Sequence, residues 1–232
     1  MDRPLPIKSF LTPTAEAYKE KITSVAPLQK DERTGAPNRR CMASRPPLES
    51  RAEVEYTLEA CRKRTPRLPL VSEAKAREVL GTDCPDGPLP QWVRLLANFP
   101  KDGKARVLSL RSAEEKGDLT PLLKAQVSWI VARQDRAWYA LGKAKQRLVQ
   151  LGWSAEQIYA LDGNWAEFSP TERSLFTFAR NLAASPIVLT DDDVTKALKL
   201  TGPREVVQLI SYVTQRASID RITEAAGLQL EK

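Results

Sequence analysis

Three observations predict an all-α fold for this chain. Apolar residues recur every three or four positions in one segment after another, helix start signals precede most of those segments, and no run alternates apolar and polar residues as a half-buried strand would. The 232 residues are 42% hydrophobic and 28% charged, an ordinary globular mix that excludes a disordered, fibrous or collagen-like chain. That length accommodates one sizeable domain and an arm.

Residues 1–46 mix Pro, Lys, Arg and Thr around a short helical candidate at 14–24. They read as a flexible arm or linker whose Phe10, Leu11 and Tyr18 need a partner surface to be buried. An accessory helix is expected within 47–66, where Val54, Leu58 and Cys61 recur at helical spacing and acids precede bases, as the helix dipole favours. Pro66 and Pro69 close it. The remainder, 67–232, reads as the main helical domain, a bundle of about six to eight helices.

Within that domain Ser72 caps a short helix ending at Gly81, and the rigid turn TDCPDGPLP leads to a second over 91–99. A third covers 104–116, with Val107, Leu108 and Leu110 facing inward and Gly117 at its end. Thr120 and Pro121 open the longest element, a single central helix over 121–151 stopped by Gly152. Ser154 and Gln157 form a capping box for the next helix, and Ser169, Pro170 and Glu172 open another reaching Ala184. Thr190 with Asp191, Asp192 and Asp193 starts a helix over 194–200. Acids at a helix start favour its positive end, reason enough for this run without a metal ion. Pro203 begins the last helix, on which Val206, Val207, Leu209, Ile210, Val213, Ala217 and Ile222 read as one broad apolar face.

Composition also excludes chemistry. With no histidine, zinc sites with His ligands, serine triads and Cys-His dyads are all closed. Cys41, Cys61 and Cys84 form no CxxC pair and no metal-ligand spacing, which fits a reducing cytoplasm and scattered thiols. No apolar run is long enough to span a bilayer and the first residues lack a signal-peptide core, so a cytoplasmic protein without membrane contact is expected. The net charge of +7 is segregated: residues 101–147 hold 11 basic against 5 acidic side chains, residues 148–232 hold 8 against 11. Without a stacking platform or groove-reading motif, that excess is a weak argument for nucleic acid.

The stretches LPLVSEAKAREVL, LPQWVRLLANFP, GDLTPLLKAQVSWIVARQDRAWYALGKAKQRLVQLGWSAEQI, FSPTERSLFTFARNLAASPIVLTDDDV and IDRITEAAGL occur in this order. In that order the chain resembles the carboxymuconolactone decarboxylase and alkyl hydroperoxide reductase D-like superfamily. The resemblance implies a helical bundle of the alkyl hydroperoxide reductase D-like type and a homo-oligomer. Redox-active members carry a CxxC pair, a histidine further along and a glutamate about three turns before. Anchored on Tyr139 and Gly152, the cysteine positions fall on Ala137 and Ala140, the histidine on Ala144 and the glutamate on Ala125. A methyl group neither attacks nor ionises, so thiol peroxidase chemistry has no reagents there. The decarboxylase branch is expected to use a histidine acid, which is also missing.

Arg136, Trp138, Tyr139, Lys143 and Arg147 remain beside the vacated positions as candidates for lining a pocket or binding an anion. On an unbroken helix Arg136, Lys143 and Arg147 share one face. The leading expectation is therefore an oligomeric binding or scaffold module without the redox site, needing no metal or cofactor. The first alternative is an enzyme of altered chemistry on a small organic acid or lactone, with Tyr139 or Lys143 as acid or base. The second is a basic surface that binds nucleic acid.

Overall fold

The computed structural model describes residues 48–184 and 187–231, which form ten α-helices and no strand. They are α1 (Arg51–Lys63), α2 (Glu73–Leu80), α3 (Gln91–Leu96), α4 (Pro100–Glu115), α5 (Pro121–Asp135), α6 (Trp138–Gln150), α7 (Ala155–Ala160), α8 (Pro170–Ala183), α9 (Asp191–Thr201) and α10 (Pro203–Ala225). The helical candidate at 14–24 and Cys41 lie outside the described residues.

Side-chain caps set most of the boundaries. Ser72 and Thr120 accept the backbone N–H three residues on, and full capping boxes form at Ser50 with Glu53, Ser154 with Gln157, Ser169 with Glu172 and Thr190 with Asp193. Each satisfies a donor the helix itself leaves unpaired. The Asp193 carboxylate also accepts a bond of 3.0 Å from the Asn181 amide, so this residue of the aspartate run is held by the cap and by α8.

The expected central helix is broken. α5 stops at Asp135, Arg136 adopts the left-handed conformation (φ 50°), and α6 restarts at Trp138. Neither Gly nor Pro marks the place, and a β-carbon disfavours that conformation. Contacts from other parts of the chain are found on either side of the turn: Glu49 pairs with Arg136, Arg221 reaches Asp135, and the Glu224 carboxylate accepts the Trp138 N–H at 3.0 Å. With the break, the described residues from 68 onward hold nine α-helices, above the expected six to eight.

The α5 helix is the hub, buried continuously from Lys124 to Arg133 and packed on α6, α8 and α10. One side of it, around Trp129, meets Val54, Leu58 and Cys61 of α1 and Leu141 and Leu148 of α6. The other, around Val127 and Val131, meets Phe178 of α8 and Leu209 and Val213 of α10. Buried side chains of this kind contribute about 1.5–3 kcal/mol each. The apolar stripe of α10 is narrower than its sequence indicates: Val206, Leu209, Val213 and Ala217 face the core, whereas Val207 is 65% exposed and Ile210 also faces outward. In α4, which begins at Pro100, only Val107 of the three inward candidates is fully buried; Leu108 and Leu110 are half-buried.

After α10 the chain threads back between α1, α3 and α6. Leu230 donates its N–H to the Cys61 carbonyl and seats its side chain against Gly142, where a β-carbon would come within 2.2 Å of it. Glu231 accepts the first N–H of α3, at Gln91, and holds Tyr139 and Lys143 of α6. Among the described residues no helix is long and apolar enough to cross a membrane.

Candidate functional site

The vacated positions divide into two pairs. Ala125 and Ala137 are fully buried, Ala125 within the core around Trp129 and Ala137 at the cap of α6. Ala140 and Ala144, one turn apart on α6, instead line a cavity of about 220 Å³ between α4, α5, α6 and α10. Trp92, Leu110 and Ile219 give it an apolar wall, and the polar residues Ser128, Tyr139 and Asp220 also line it.

Of the sequence candidates, Tyr139, Lys143 and Arg147 line this cavity. Arg136 is not with them, because the break after α5 removes it from the helical face it was expected to share. It pairs with Glu49 instead. Trp138 packs its side chain against the main core and does not border the cavity. Tyr139 donates to the Glu231 carboxylate at 3.1 Å. Burial first, and then that neighbouring carboxylate, hold its phenol far above its usual range. It therefore cannot act as a base. Lys143 is 2.8 Å from the other Glu231 oxygen, so the two groups weighed as acid or base share one carboxylate partner.

The cavity's remaining charges come from helices that sequence reasoning did not connect with α6. Glu114 of α4 sits between Arg147 of α6 and Arg216 of α10, the latter at 2.9 Å. The Tyr212 hydroxyl donates to the same carboxylate at 2.6 Å and lies 2.8 Å from Ser128 Oγ. Two guanidinium groups thus face one carboxylate, leaving a local surplus of one positive charge.

Asp220 is the exception in this wall. It is 1% exposed, and its Oδ2 has no hydrogen-bond partner. Burial pushes its carboxyl up to about 8, with Asp135 adding to the rise and Arg216 and Arg221 opposing it. Its neighbour in sequence, Arg221, bonds Asp135 at 3.3 Å. A carboxyl with these surroundings is neutral across much of the physiological range and carries a proton to donate.

Neither described thiol lines the cavity. Cys61 is buried in the α1 side of the core, donates to the Leu228 carbonyl at 3.6 Å and has its thiol pushed up by burial. A buried thiol of raised pKa is a poor nucleophile. Cys84 lies on the far side of α2, against Arg77 and the Pro85 carbonyl.

No family model matches the sequence and no curated protein is similar to it. Solved structures do match. The debrominase Bmp8 aligns over 82% of this chain and 94% of its own at 14% identity, with a TM-score of 0.57. A cysteine-to-alanine variant of it, in complex with 2,3,4-tribromopyrrole, gives the same score. A protein of unknown function from Agrobacterium tumefaciens, assigned to antioxidant defence as AhpD, aligns over 60% of this chain and 96% of its own at 14% identity and a TM-score of 0.52. A peroxidase-related protein from Silicibacter sp. TM1040 aligns over 88% and 94% at 13% identity with a TM-score of 0.52. The fold is the alkyl hydroperoxide reductase D-like fold. Within this AhpD-like frame, the cavity borders Ala140 and Ala144, two of the four positions to which the sequence resemblance points.

Proposed function

We propose that this protein is an AhpD-like binding module without thiol chemistry, and that its cavity takes a small organic anion with an apolar body. One observation carries the reading: the cavity over Ala140 and Ala144 is open, and its wall combines an arginine surplus at Arg147 and Arg216 with a buried proton donor at Asp220. A cavity of about 150 Å³ is known to hold benzene, so 220 Å³ suits a single substituted ring or a short aliphatic acid. A debrominase of the same fold holds 2,3,4-tribromopyrrole with one cysteine replaced by alanine, which supports a small ring as occupant.

Two assays test this. Thiol-dependent turnover of cumene hydroperoxide should stay at background in the full chain and in a variant with Cys41, Cys61 and Cys84 changed to serine; turnover in either overturns the reading. Calorimetry should show benzoate binding at least tenfold more tightly than benzamide, its uncharged counterpart. Equal affinities, or no binding of either at millimolar concentration, remove the anion site. Self-association belongs to the same proposal, supported by the outward Val207 and Ile210 of α10. A monomeric mass in sedimentation equilibrium removes it.

The nucleic-acid alternative loses ground because several of the basic side chains in the central region already hold acidic partners. Arg111, Arg133, Arg136, Lys143, Lys145 and Arg147 each pair with a carboxylate, and the release of counterions that drives such binding needs unpaired cations. The altered-enzyme alternative keeps one observation in its favour, the buried Asp220 on the cavity wall, whose carboxyl burial pushes up. It moves the acid from Tyr139 or Lys143 to α10.

A further inference from the structure

A buried carboxyl whose oxygen meets no partner costs stability, and Asp220 occupies such a place on the wall of a cavity. The charged groups around that cavity already have partners. Arg147 and Arg216 hold Glu114, Lys143 holds Glu231, and Arg111 holds Glu115. Each arginine still has N–H donors beyond those that Glu114 occupies.

We propose that Asp220 is the hydrogen-bond donor that recognises the ligand: in its neutral form it donates its proton to an anionic oxygen of a small organic acid, whose charge Arg147 and Arg216 balance. The inference rests on the anion-binding reading above and specifies how that site chooses its ligand. A neutral carboxyl can donate to an anion, whereas an ionised one repels it, so the same side chain admits a carboxylate or phenolate in one protonation state and rejects it in the other.

The geometry sets the direction of the pH dependence. The charged and titratable groups that act on Asp220 or line the cavity with it are Arg111, Glu114 and Glu115 from α4, Asp135 at the end of α5, Tyr139, Lys143 and Arg147 from α6, Arg216 and Arg221 on α10 itself, and Glu231 behind Lys143. The arginines stay charged at any accessible pH, and Tyr139 stays protonated. Asp135, like Asp220, is raised by burial, and its ionisation adds negative charge in the same direction. Binding of an organic anion is therefore strongest on the acid side of the Asp220 transition and weakens as that group ionises.

The test is calorimetric titration of the full chain with benzoate from about pH 6 to pH 9.5, in buffers of different ionisation enthalpy so that proton uptake is counted. The dissociation constant should be flat below about pH 7 and rise toward tenfold per unit above about pH 8, with uptake approaching one proton per benzoate. Asp220→Asn, neutral and still a donor, should bind with a flat profile and no proton uptake. Asp220→Leu should bind about tenfold more weakly at pH 6, having lost the donor. Benzoate bound with a pH-independent constant in the native chain overturns the role of Asp220 and leaves the anion site standing. Affinity that grows with pH makes Asp220 an acceptor and equally overturns it. No benzoate binding at any pH removes the anion site itself. Circular dichroism melting confirms that each variant is folded.

Discussion

Two buried charged regions flank α5 and are built on opposite rules. On one side, Arg133 is 1% exposed and fully engaged: Nε is 3.0 Å from Asp162, NH1 is 3.0 Å from Glu49, and NH2 donates to the Glu49 carbonyl at 2.7 Å. The second Asp162 oxygen accepts the Trp129 indole N–H at 2.8 Å. On the other side, Asp220 is equally buried, and Oδ2 faces no donor. The first arrangement fixes the chain ahead of α1 to the hub. The second stores an unmet hydrogen-bonding need beside a cavity. Buried charge thus marks architecture where it is satisfied and a site where it is not.

Breaking the satisfied cluster should have the largest effect. Arg133→Met leaves Asp162 without its cation and Glu49 with Arg136 as its remaining partner, and removing one member of a buried pair costs about 3–5 kcal/mol. Urea unfolding followed by tryptophan fluorescence should show that loss; a loss below about 1 kcal/mol would make the cluster incidental. The unsatisfied side should respond in the opposite sense. The folded value of Asp220, about 8, lies above the unfolded value of about 3.9, so between them the folded state keeps a proton that the unfolded state has released. Stability from this group is therefore full below about pH 4 and lost as pH rises through about 8. Asp220→Asn should then stabilise the protein by up to about 5 kcal/mol at pH 8 and hardly at all at pH 4; a gain that does not depend on pH would contradict the neutral carboxyl. The smallest effect sharpens the contrast at the surface. Arg204, paired with Asp118 at 2.6 Å but 80% exposed, should lose no more than about 1 kcal/mol on change to alanine, and less in high salt.

Much of the helical frame is legible in the sequence because its signals are local. Ser72, Thr120, Ser154, Ser169 and Thr190 cap the helices they were expected to cap, since a cap and its partner lie within four residues of each other. The break at Arg136 had no such signal: Glu49, Arg221 and Glu224 flank it from 85 or more residues away along the chain. The site was half legible for the same reason. Tyr139, Lys143 and Arg147 follow from the period of α6, but Glu114, Arg216 and Asp220 belong to other helices. Asp220 beside Arg221 reads as a solvated ion pair until packing turns the two side chains to different partners.

Glu224, near the end of α10, holds three elements at once. Its carboxylate accepts both Arg64 NH groups, at 2.9 and 3.2 Å, and the Trp138 N–H that opens α6, while its carbonyl accepts from Arg67. In evolutionary terms such a residue is not free to drift alone. Exchange of Glu224 strands the Arg64 guanidinium and frees the opening N–H of α6 together, so a single change at this position is felt at the end of α1 and at the start of α6 at once.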